Sequence, residues 1–324
     1  MIEKISFIVP VYNTKPVFLD KCVSSMLSFD AVKKEIILVD DGSKNEDTLE
    51  TVKRFENEHD EVHLFRQENG GPGAARNVGL DNAEGDYVCF VDSDDALEWE
   101  KLGHCISRIN EGGYDPDIVV GSSSALITDM GIYDPSAIKI TDVANIKDEE
   151  VPHKWVLWAK VFRRSLFEGI RFERDLKFCE DFIFLTKLYE KSEQTLFWNA
   201  PIYDHVKNED SLCNRFNPQA SEEFAKAIIA MEENGIEGIS NVVIFYYYLK
   251  MVLSLQVFNS SNKKSFMQKR AEAKEILYSE PFKRMFDIEK NSDKKFKHKI
   301  LCWLLDNGFY YTAFLIKNRK KKTG

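Results

Sequence analysis

The chain has 324 residues, of which 44% are hydrophobic and 30% are charged, and its formal net charge is −9. This composition is typical of a globular protein with one large domain or a domain and an appendage, and it excludes a disordered chain. The acidic balance argues against nucleic acid as a partner. The six cysteines lack C-x-x-C spacing, which favours buried free thiols in a reducing cytosol over disulfides or zinc ligands.

The charge is unevenly distributed along the chain. From Asn291 onward nine lysines or arginines face two aspartates, so this segment carries +7 and the preceding residues carry −16. A basic tail of this kind leaves peripheral contact with a negatively charged membrane surface open. The N-terminus leads directly into a predicted strand, so we expect no signal peptide and a cytoplasmic location, with the inner face of the cell membrane as the surface concerned.

The first 121 residues alternate between apolar strands and amphipathic helices. Strands are predicted over 4–11, 35–41, 62–65, 87–91 and 117–121, and helices over 16–27, 48–58, 74–82 and 96–110. Such alternation with short connections predicts an α/β fold with a mostly parallel sheet and helices on both faces.

The pattern loosens after residue 122. Residues 122–150 read as a variable insertion, 151–167 and 180–191 as helices, 195–203 as a strand, and the chain from Pro218 to about residue 318 as all helical. We therefore predict three parts: two halves of the α/β domain, 1–122 and 123–215, and a helical region over 216–324. Within the last part the broken apolar stretch 300–316 is short for a membrane span, and it reads either as an interfacial helix or as a helix packed on the domain.

Three carboxylates follow the strand at Tyr87 within four residues, at Asp92, Asp94 and Asp95. Ligands of open α/β sheets collect at the carboxyl ends of strands, and crowded carboxylates persist there around a cation or a hydrogen-bonded ligand. The alternative is an acidic turn that caps the next helix, with Asp94 or Asp95 at the N-cap. Asp95 fits the cap better than a ligand.

Polar loops follow four of the predicted strands and carry groups suited to a nucleotide sugar. An aspartate such as Asp41 can accept the imide hydrogen of uracil, and the glycines beside Asn69 allow close backbone approach. Arg76 can pair with phosphate. An Asp-x-Asp turn such as Asp92-Ser93-Asp94 can hold Mg²⁺ or Mn²⁺ against a diphosphate.

These motifs together resemble the family 2 inverting glycosyltransferases with the GT-A fold. The resemblance runs over about residues 1–215 and is carried by Val9-Pro10-Val11-Tyr12-Asn13, Leu38-Val39-Asp40-Asp41-Gly42-Ser43, Asn69-Gly70, Gly73-Ala74-Ala75-Arg76-Asn77-Val78-Gly79, Phe90-Val91-Asp92-Ser93-Asp94-Asp95, Trp158-Ala159-Lys160-Val161-Phe162-Arg163-Arg164, Arg171-Phe172 and Glu180-Asp181-Phe182-Ile183-Phe184. The chain looks most like bacterial enzymes that build capsule, lipopolysaccharide, exopolysaccharide or wall teichoic acid.

The resemblance implies a role for each matched position. It implies a UDP-sugar donor bound at Pro10, Tyr12, Asn13, Asp41, Asn69, Gly70, Arg76, Asp92 and Ser93, with Asp41 on the uracil and Tyr12 beside the base. It implies Mn²⁺ or Mg²⁺ held by Asp94 with Asp92 nearby. Asp181, supported by Glu180, becomes the general base that activates a hydroxyl of a glycan or lipid-linked acceptor.

Several of these positions have a second interpretation. Asp41 can belong to a solvated turn cap, Arg76 to a structural ion pair, and Glu180 with Asp181 to the ordinary acids of a first helical turn. His205 suggests a third metal ligand, but relatives often have Tyr-x-Tyr-Arg where this chain has Tyr-Asp-His-Val at 203–206. That departure puts the ligand role in doubt.

Two other functions compete with the glycosyltransferase. A sugar nucleotidyltransferase of the same fold is disfavoured because no glycine-rich, lysine-bearing triphosphate loop follows the first strand. A non-catalytic subunit that binds a nucleotide sugar and partners an active transferase is the other alternative. The intact Asp41, Asp94 and Asp181 argue against it.

Overall fold

The structure is a computed structural model that describes residues 1–123, 138–141, 156–174, 176, 178–206, 215–235, 249–291 and 296–318. The chain forms two compact units, Met1–Lys207 and Asn208–Gly324. The division of the α/β part near residue 122 stays a prediction.

One mixed sheet organises the first unit. Its strands are β1 Lys4–Val11, β2 Lys33–Asp40, β3 Val62–Arg66, β4 Tyr87–Phe90, β5 Ala96–Leu97, β6 Ile118–Ser123, β7 Ile138–Thr141, β8 Lys160–Arg163 and β9 Thr195–Asp204. The order is β3-β2-β1-β4-β8-β6-β9-β5, with β7 paired to β9. The strands β3, β2, β1 and β4 run parallel, whereas β8 is antiparallel to both of its neighbours, β4 and β6. This is the predicted GT-A-like α/β fold.

Helices cover both faces of the sheet. They are α1 Pro16–Leu27, α2 Glu46–Glu58, α3 Pro72–Asn82, α4 Trp99–Glu111 and α5 Glu180–Lys191, with a short 3-10 helix at Arg164–Phe167. The side chain of Asn45 caps α2 by accepting from the Thr48 N–H. One core lies between the sheet and α1 and α4, and the other packs α3 and α5 on the opposite face around Phe90. The apolar run of each central strand is buried because both faces are covered.

The register of the parallel strands brings three loops together. Val11 of β1 pairs with Asp40 of β2, and Ile8 of β1 pairs with Phe90 of β4. The chain therefore leaves β1, β2 and β4 at one edge of the sheet. This edge is where the sequence predicts the donor site.

Two predicted helices are wrong in part. The helix expected over 96–110 begins at Trp99, because Ala96 and Leu97 pair with β9 as β5. The helix expected over 151–167 is replaced from Lys160 by β8 and the 3-10 helix, since Val161 and Phe162 are buried between β4 and β6. Sheet pairing outweighs the helical spacing of apolar residues here. Residues 151–155 and most of 122–150 lie outside the described part of the chain.

The second unit is helical where the structure describes it, as predicted. Its helices are α6 Ala220–Glu233, α7 Phe266–Leu277, α8 Phe282–Asn291, α9 Phe296–Asp306 and α10 Tyr310–Asn318, with a π-helical turn at Leu253–Val257. The apolar stretch 300–316 is divided between α9 and α10 at Gly308, whose φ of 75° suits glycine. Of the helices in the described ranges, none combines the length and apolarity that crossing a bilayer requires. The tail from Arg319 and the apolar residues 242–248 lie outside those ranges.

Candidate active site

Asp41 ties the loop after β3 to the end of β2. Its Oδ1 accepts hydrogen bonds from the Gly70 N–H at 2.8 Å and from Gln67 Nε2 at 2.6 Å, and its Oδ2 accepts from the Gly71 N–H at 2.9 Å. The side chain is buried rather than solvated, so the turn-cap interpretation of Asp41 is wrong. A carboxylate has about four acceptor positions, and three protein donors therefore leave capacity at Oδ2 for one further donor.

Asn13 holds the loop after β1 against the loop after β2. Its φ of 51° is left-handed, a conformation that asparagine tolerates. Its backbone N–H donates to Ser43 Oγ at 2.9 Å, and its Oδ1 accepts from the Lys44 and Asn45 N–H groups. The Asn13 side chain is thus committed to the loop.

The other predicted donor contacts surround this junction. Tyr12 precedes it and is 50% exposed, which leaves its ring available for stacking. Pro10 lies in β1 opposite Val39 of β2. Asn69 Nδ2 donates to the Asp41 backbone carbonyl at 3.0 Å, so Asn69 fixes the same loop as Gly70.

Asp95 anchors the acidic turn and does not cap α4. Its carboxylate accepts from Tyr203 Oη at 2.8 Å and from the Val206 N–H at 2.7 Å, both at the end of β9. The N-cap position of α4 is Glu98. The expectation that Asp95 serves as a helix N-cap is therefore wrong, because Asp95 is used to join the turn to β9. Tyr203 Oη also accepts from the Asp92 N–H at 3.1 Å.

His205 is oriented by the same carboxylate. Its Nδ1 lies 3.1 Å from both Asp95 oxygens, and Trp158 stacks on its ring at 5.5 Å. The bond to Asp95 raises the pKa of His205. A carboxylate on Nδ1 is the usual partner of a histidine that ligates a metal through Nε2. However, no group of three or more His, Cys, Asp or Glu side chains spaced for a metal occurs within the described ranges, so the set Asp92, Asp94 and His205 is not assembled there.

Ser93 lies between the two aspartates of the Asp-x-Asp turn. Its Oγ is 2.7 Å from Thr14 Oγ1, which connects the turn to the loop after β1. The half-buried Asp94 is the next residue. The turn is thus held from two sides, through Asp95 and through Ser93.

Arg76 of α3 joins three carboxylates from two other segments, the acidic turn and the start of α5. Its Nη2 donates to Asp92 Oδ1 at 3.0 Å, and its Nη1 donates to Asp181 Oδ1 at 2.9 Å and to Glu180 Oε1 at 3.3 Å. The residue is only 5% exposed. The structure thus supports the interpretation of Arg76 as part of a structural ion pair, because both of its terminal nitrogens donate to carboxylates.

Glu180 and Asp181 occupy the first turn of α5 and differ in their surroundings. Burial, followed by the charge of Asp181, raises the pKa of Glu180, so Glu180 ionises less readily than an ordinary glutamate. Burial also raises the pKa of Asp181, with Arg76 acting in the opposite direction. The Asp181 side chain is 30% exposed, against 9% for Glu180. Asp181 is therefore the more accessible of the two carboxylates.

Lys160 of β8 is a member of the site to which the sequence assigned no role. Its side chain is fully buried, its Nζ donates to the Val156 carbonyl, and it interacts electrostatically with Asp181. Burial lowers the pKa of Lys160 to about 7. The only signal in the sequence was its place in the motif at 158–164, where a lysine precedes two apolar residues.

We expect Lys160→Met to stabilise the fold, most strongly below pH 7. In the folded protein the pKa of Lys160 lies below the ordinary lysine value. Between pH 7 and about 10 the protein therefore binds a proton when it unfolds, so the stability of the wild type rises with pH across that window. The burial cost is on the order of 5 kcal/mol at pH 6, because the pKa falls from 10.5 to about 7 and each pKa unit corresponds to about 1.4 kcal/mol. Thermal unfolding at pH 6 and pH 9 measures it, with the exposed Lys53→Met as control. An equal stability difference at both pH values contradicts the prediction.

Comparison with known proteins identifies the family. Residues 6–168 match the family model described as glycosyl transferase family 2. The chain belongs to this family, which confirms the class predicted from the motifs.

Relatives and solved structures agree with that class. The chain is 33% identical over 223 residues to the glycosyltransferase GlyA of Streptococcus pneumoniae, an alignment that covers 65% of this chain but only 31% of GlyA. It is 28% identical to the uncharacterized glycosyltransferase EpsJ of Bacillus subtilis, with 83% of each chain covered. The crystal structure of Staphylococcus aureus TarS 1–349 in complex with UDP-GlcNAc superposes with a TM-score of 0.61 at 21% identity, over 97% of this chain and 90% of that one. This likeness supports the fold.

Proposed function

We propose that the protein transfers a sugar from a UDP-sugar to a glycan or lipid-linked acceptor in bacterial surface polysaccharide synthesis, with inversion at the anomeric carbon. The observation that carries the proposal is the convergence of three elements. The Asp41 loop follows β2 and the acidic turn at Asp92 follows β4, the two strands that pair in parallel with β1, and Arg76 bonds both Asp92 and Asp181. This convergence supports a donor site and a candidate base at one edge of the sheet.

The names of related proteins support the choice of donor and acceptor. A 32% identical relative, with 58% of this chain and 61% of its own length covered, is the GalNAc(5)-diNAcBac-PP-undecaprenol beta-1,3-glucosyltransferase of Campylobacter jejuni. Its name contains a lipid-linked acceptor. The structural neighbour TarS was solved with UDP and with UDP-GlcNAc. A UDP-sugar and a lipid-linked acceptor are therefore the first substrates to test.

In the proposed reaction Asp181 is the general base. Arg76 engages its Oδ1, so Oδ2 is the oxygen that takes the proton from the acceptor hydroxyl. The oxygen of that hydroxyl bonds to the anomeric carbon as the bond to the diphosphate breaks, and UDP leaves with the electron pair. One displacement through an oxocarbenium-like state inverts the configuration, as in single-displacement glycosidases.

In this proposal the acidic turn supplies ligands for a divalent cation. Asp92 and Asp94 offer hard oxygen donors, and Mg²⁺ or Mn²⁺ usually takes one or two carboxylates together with phosphate oxygens. Asp92 Oδ1 accepts from Arg76, whereas no residue in the described ranges donates to its Oδ2, and Asp94 is the principal candidate ligand. When bound, the cation neutralises charge on the leaving diphosphate. His205, oriented through Nδ1, is a third candidate that requires movement toward the aspartates.

A screen of sugar nucleotides tests the proposal. Release of the nucleoside diphosphate is measured for uridine, guanosine and cytidine sugars, with and without Mn²⁺. We expect metal-stimulated release from UDP-sugars only. A non-catalytic partner subunit would bind UDP without any release, and that result would overturn the proposal.

We expect uridine to be preferred over cytidine through Asp41. The imide N–H of uracil can donate to Asp41 Oδ2, whereas the corresponding nitrogen of cytosine carries no hydrogen. With CDP, N3 of cytosine is an acceptor that would face the carboxylate without a donor. An unpaired buried acceptor costs about 1–3 kcal/mol, so UDP should bind roughly 5- to 150-fold more tightly than CDP. Calorimetry with both nucleotides measures the ratio. Equal affinities, or an unchanged ratio in Asp41→Ala, would contradict this assignment.

We also propose a peripheral membrane contact through the second unit. Trp303 of α9 and Leu315 of α10 are exposed, and each lysine or arginine near an anionic surface contributes about 1 kcal/mol. Intact protein should sediment with phosphatidylglycerol-containing vesicles and less with neutral ones. Deletion from Arg319 should weaken this binding, and a deleted protein that binds equally well would refute the contribution of the tail.

A further inference from the structure

The guanidinium of Arg76 is placed between two functional parts of the site. One side holds Asp92, which follows β4 in the acidic turn, and the other holds Asp181 at the start of α5. These segments are remote in sequence, and Arg76 itself belongs to α3. A single planar group therefore sets the separation and orientation of two carboxylates that the proposed reaction uses together.

The position of Arg76 suits holding protein groups rather than binding a ligand. The residue is 5% exposed, and its Cζ lies 5.6 Å from the ring centre of Phe172. Its terminal nitrogens bond only to carboxylates within the described residues. Movement onto a phosphate would leave Glu180 and Asp181 without their buried counter-charge, which is costly.

The alternative to a positioning role is the phosphate contact that the motif implies. A phosphate ligand needs an exposed donor, and Arg76 is only 5% exposed, whereas the side chain of Arg66, the last residue of β3, is 54% exposed. The Nε of Arg76 is buried without a hydrogen-bond partner among the described residues. The hydrogen bonds of this guanidinium are therefore made by its two terminal nitrogens. The planar guanidinium can bridge two carboxylates in a fixed geometry, and an ammonium cannot.

We propose that Arg76 is a positioning residue that locks the base Asp181 onto the acidic turn at Asp92, so that the base and the diphosphate site move as one unit. This inference rests on the proposed function. The charged groups that face Asp181 are Arg76, Glu180, Asp92 and Lys160. Arg76 is the member of this set that bonds to both Asp181 and Asp92.

The test compares Arg76→Lys and Arg76→Met with the wild type. The probes are UDP for binding and the most active UDP-sugar of the screen for turnover, measured as UDP release with water as acceptor. Arg76→Lys keeps a positive charge but cannot bond both Asp92 and Asp181 as the guanidinium does. UDP release should therefore fall about 10- to 100-fold, which is the effect expected when a reacting group is slightly misplaced. The UDP dissociation constant and the fraction of protein that binds UDP should stay within about threefold of wild type, because no phosphate contact is lost.

The pH profile separates positioning from a general structural role. The charge of Arg76 lowers the pKa of Asp181, and a base works only above its own pKa. Arg76→Met should therefore move the acidic limb of the profile up by about one unit or more. Arg76→Lys should move it less. If Arg76→Met does not fold, the double variant Arg76→Met with Glu180→Gln is measured in its place. It removes one of the carboxylates that the loss of Arg76 leaves without a counter-charge.

Four results would each contradict the proposal or its basis. A UDP affinity weakened tenfold or more in Arg76→Lys, or an unmoved acidic limb in the methionine variant, overturns the proposal. If Arg76→Lys has wild-type turnover and Asp181→Asn is inactive, the positioning role of Arg76 is overturned, but the assignment of Asp181 as the base is retained. Normal turnover in Asp181→Asn refutes the base itself and with it the basis of this inference. The exposed Arg54→Met, which breaks a surface ion pair with Asp20, is the matched control.

Discussion

Replacement of Asp181 by asparagine should reduce turnover by about 10²- to 10⁴-fold, the range of general base catalysis. The exchange preserves shape, and the amide oxygen can still accept from Arg76 Nη1. Only the proton acceptor is lost. UDP affinity should therefore survive, because a base must reach the acceptor hydroxyl and need not touch the nucleotide. UDP release and UDP calorimetry on the same preparation measure the two effects separately.

The pH dependence of the wild type gives an independent check. Burial raises the pKa of Asp181, and the carboxylate must be deprotonated to act, so activity should fall with decreasing pH at values above the ordinary aspartate range near 4. Asp81→Asn, at an exposed ion pair with Arg171, is the matched control.

Glu180 supplies the competing assignment for the base. Burial and the charge of Asp181 raise its pKa, and its side chain is 9% exposed against 30% for Asp181, so Glu180→Gln should cost far less turnover at pH 7 than Asp181→Asn. The reverse order of the two variants would identify Glu180 as the base.

Asp94→Asn should damage both binding and turnover. If Asp94 holds the cation, the amide has no charge with which to retain it, and the diphosphate loses its counter-charge. Stabilisation by a metal is worth several kcal/mol, so turnover should fall by about 10²-fold or more. Calorimetry provides a readout that does not depend on activity. Mn²⁺ should strengthen UDP binding to the wild type and should have no such effect in the variant.

A different pattern at Asp94 would remove the metal from the proposal. UDP affinity that is insensitive to Mn²⁺ and Mg²⁺ in both proteins means that Asp94 has another role. Asp60→Asn, at an exposed surface position, controls for the loss of one negative charge. Comparison with Asp181→Asn then distinguishes damage at the diphosphate from damage at the base.

The donor half of the fold was predictable because its signals are local. Buried apolar runs such as residues 4–11 and 35–40 have no polar face, which is diagnostic of central parallel strands. Pro16 marks a helix start by its own chemistry, whereas the cap at Asn45 starts α2 at Glu46, two residues before the predicted start. Family motifs then placed the polar loops at one edge, and the strand register agrees with that placement.

The errors and omissions arose where distant segments decide the structure. Ala96 carries a helical pattern but pairs with β9, and Asp95 looks like a helix cap until β9 supplies Tyr203 and Val206 as donors. The spacing of residues in the sequence does not reveal hydrogen-bond or strand partners from a distant segment. The same holds for Lys160, whose burial depends on the strands at either side of β8.

The place of β8 in the sheet has a consequence for attempts to dissect the protein. A fragment that ends at residue 122 would contain β1 to β6 but neither β8 nor β9, and these are the strands to which β6 bonds. β4 would become an open edge, with the Asp-x-Asp turn at its end and no β9 to support it. Unpaired edge strands invite association between molecules. The fragment should therefore aggregate when expressed alone, because the described residues of 156–206 supply the strands that pair with β4 and β6.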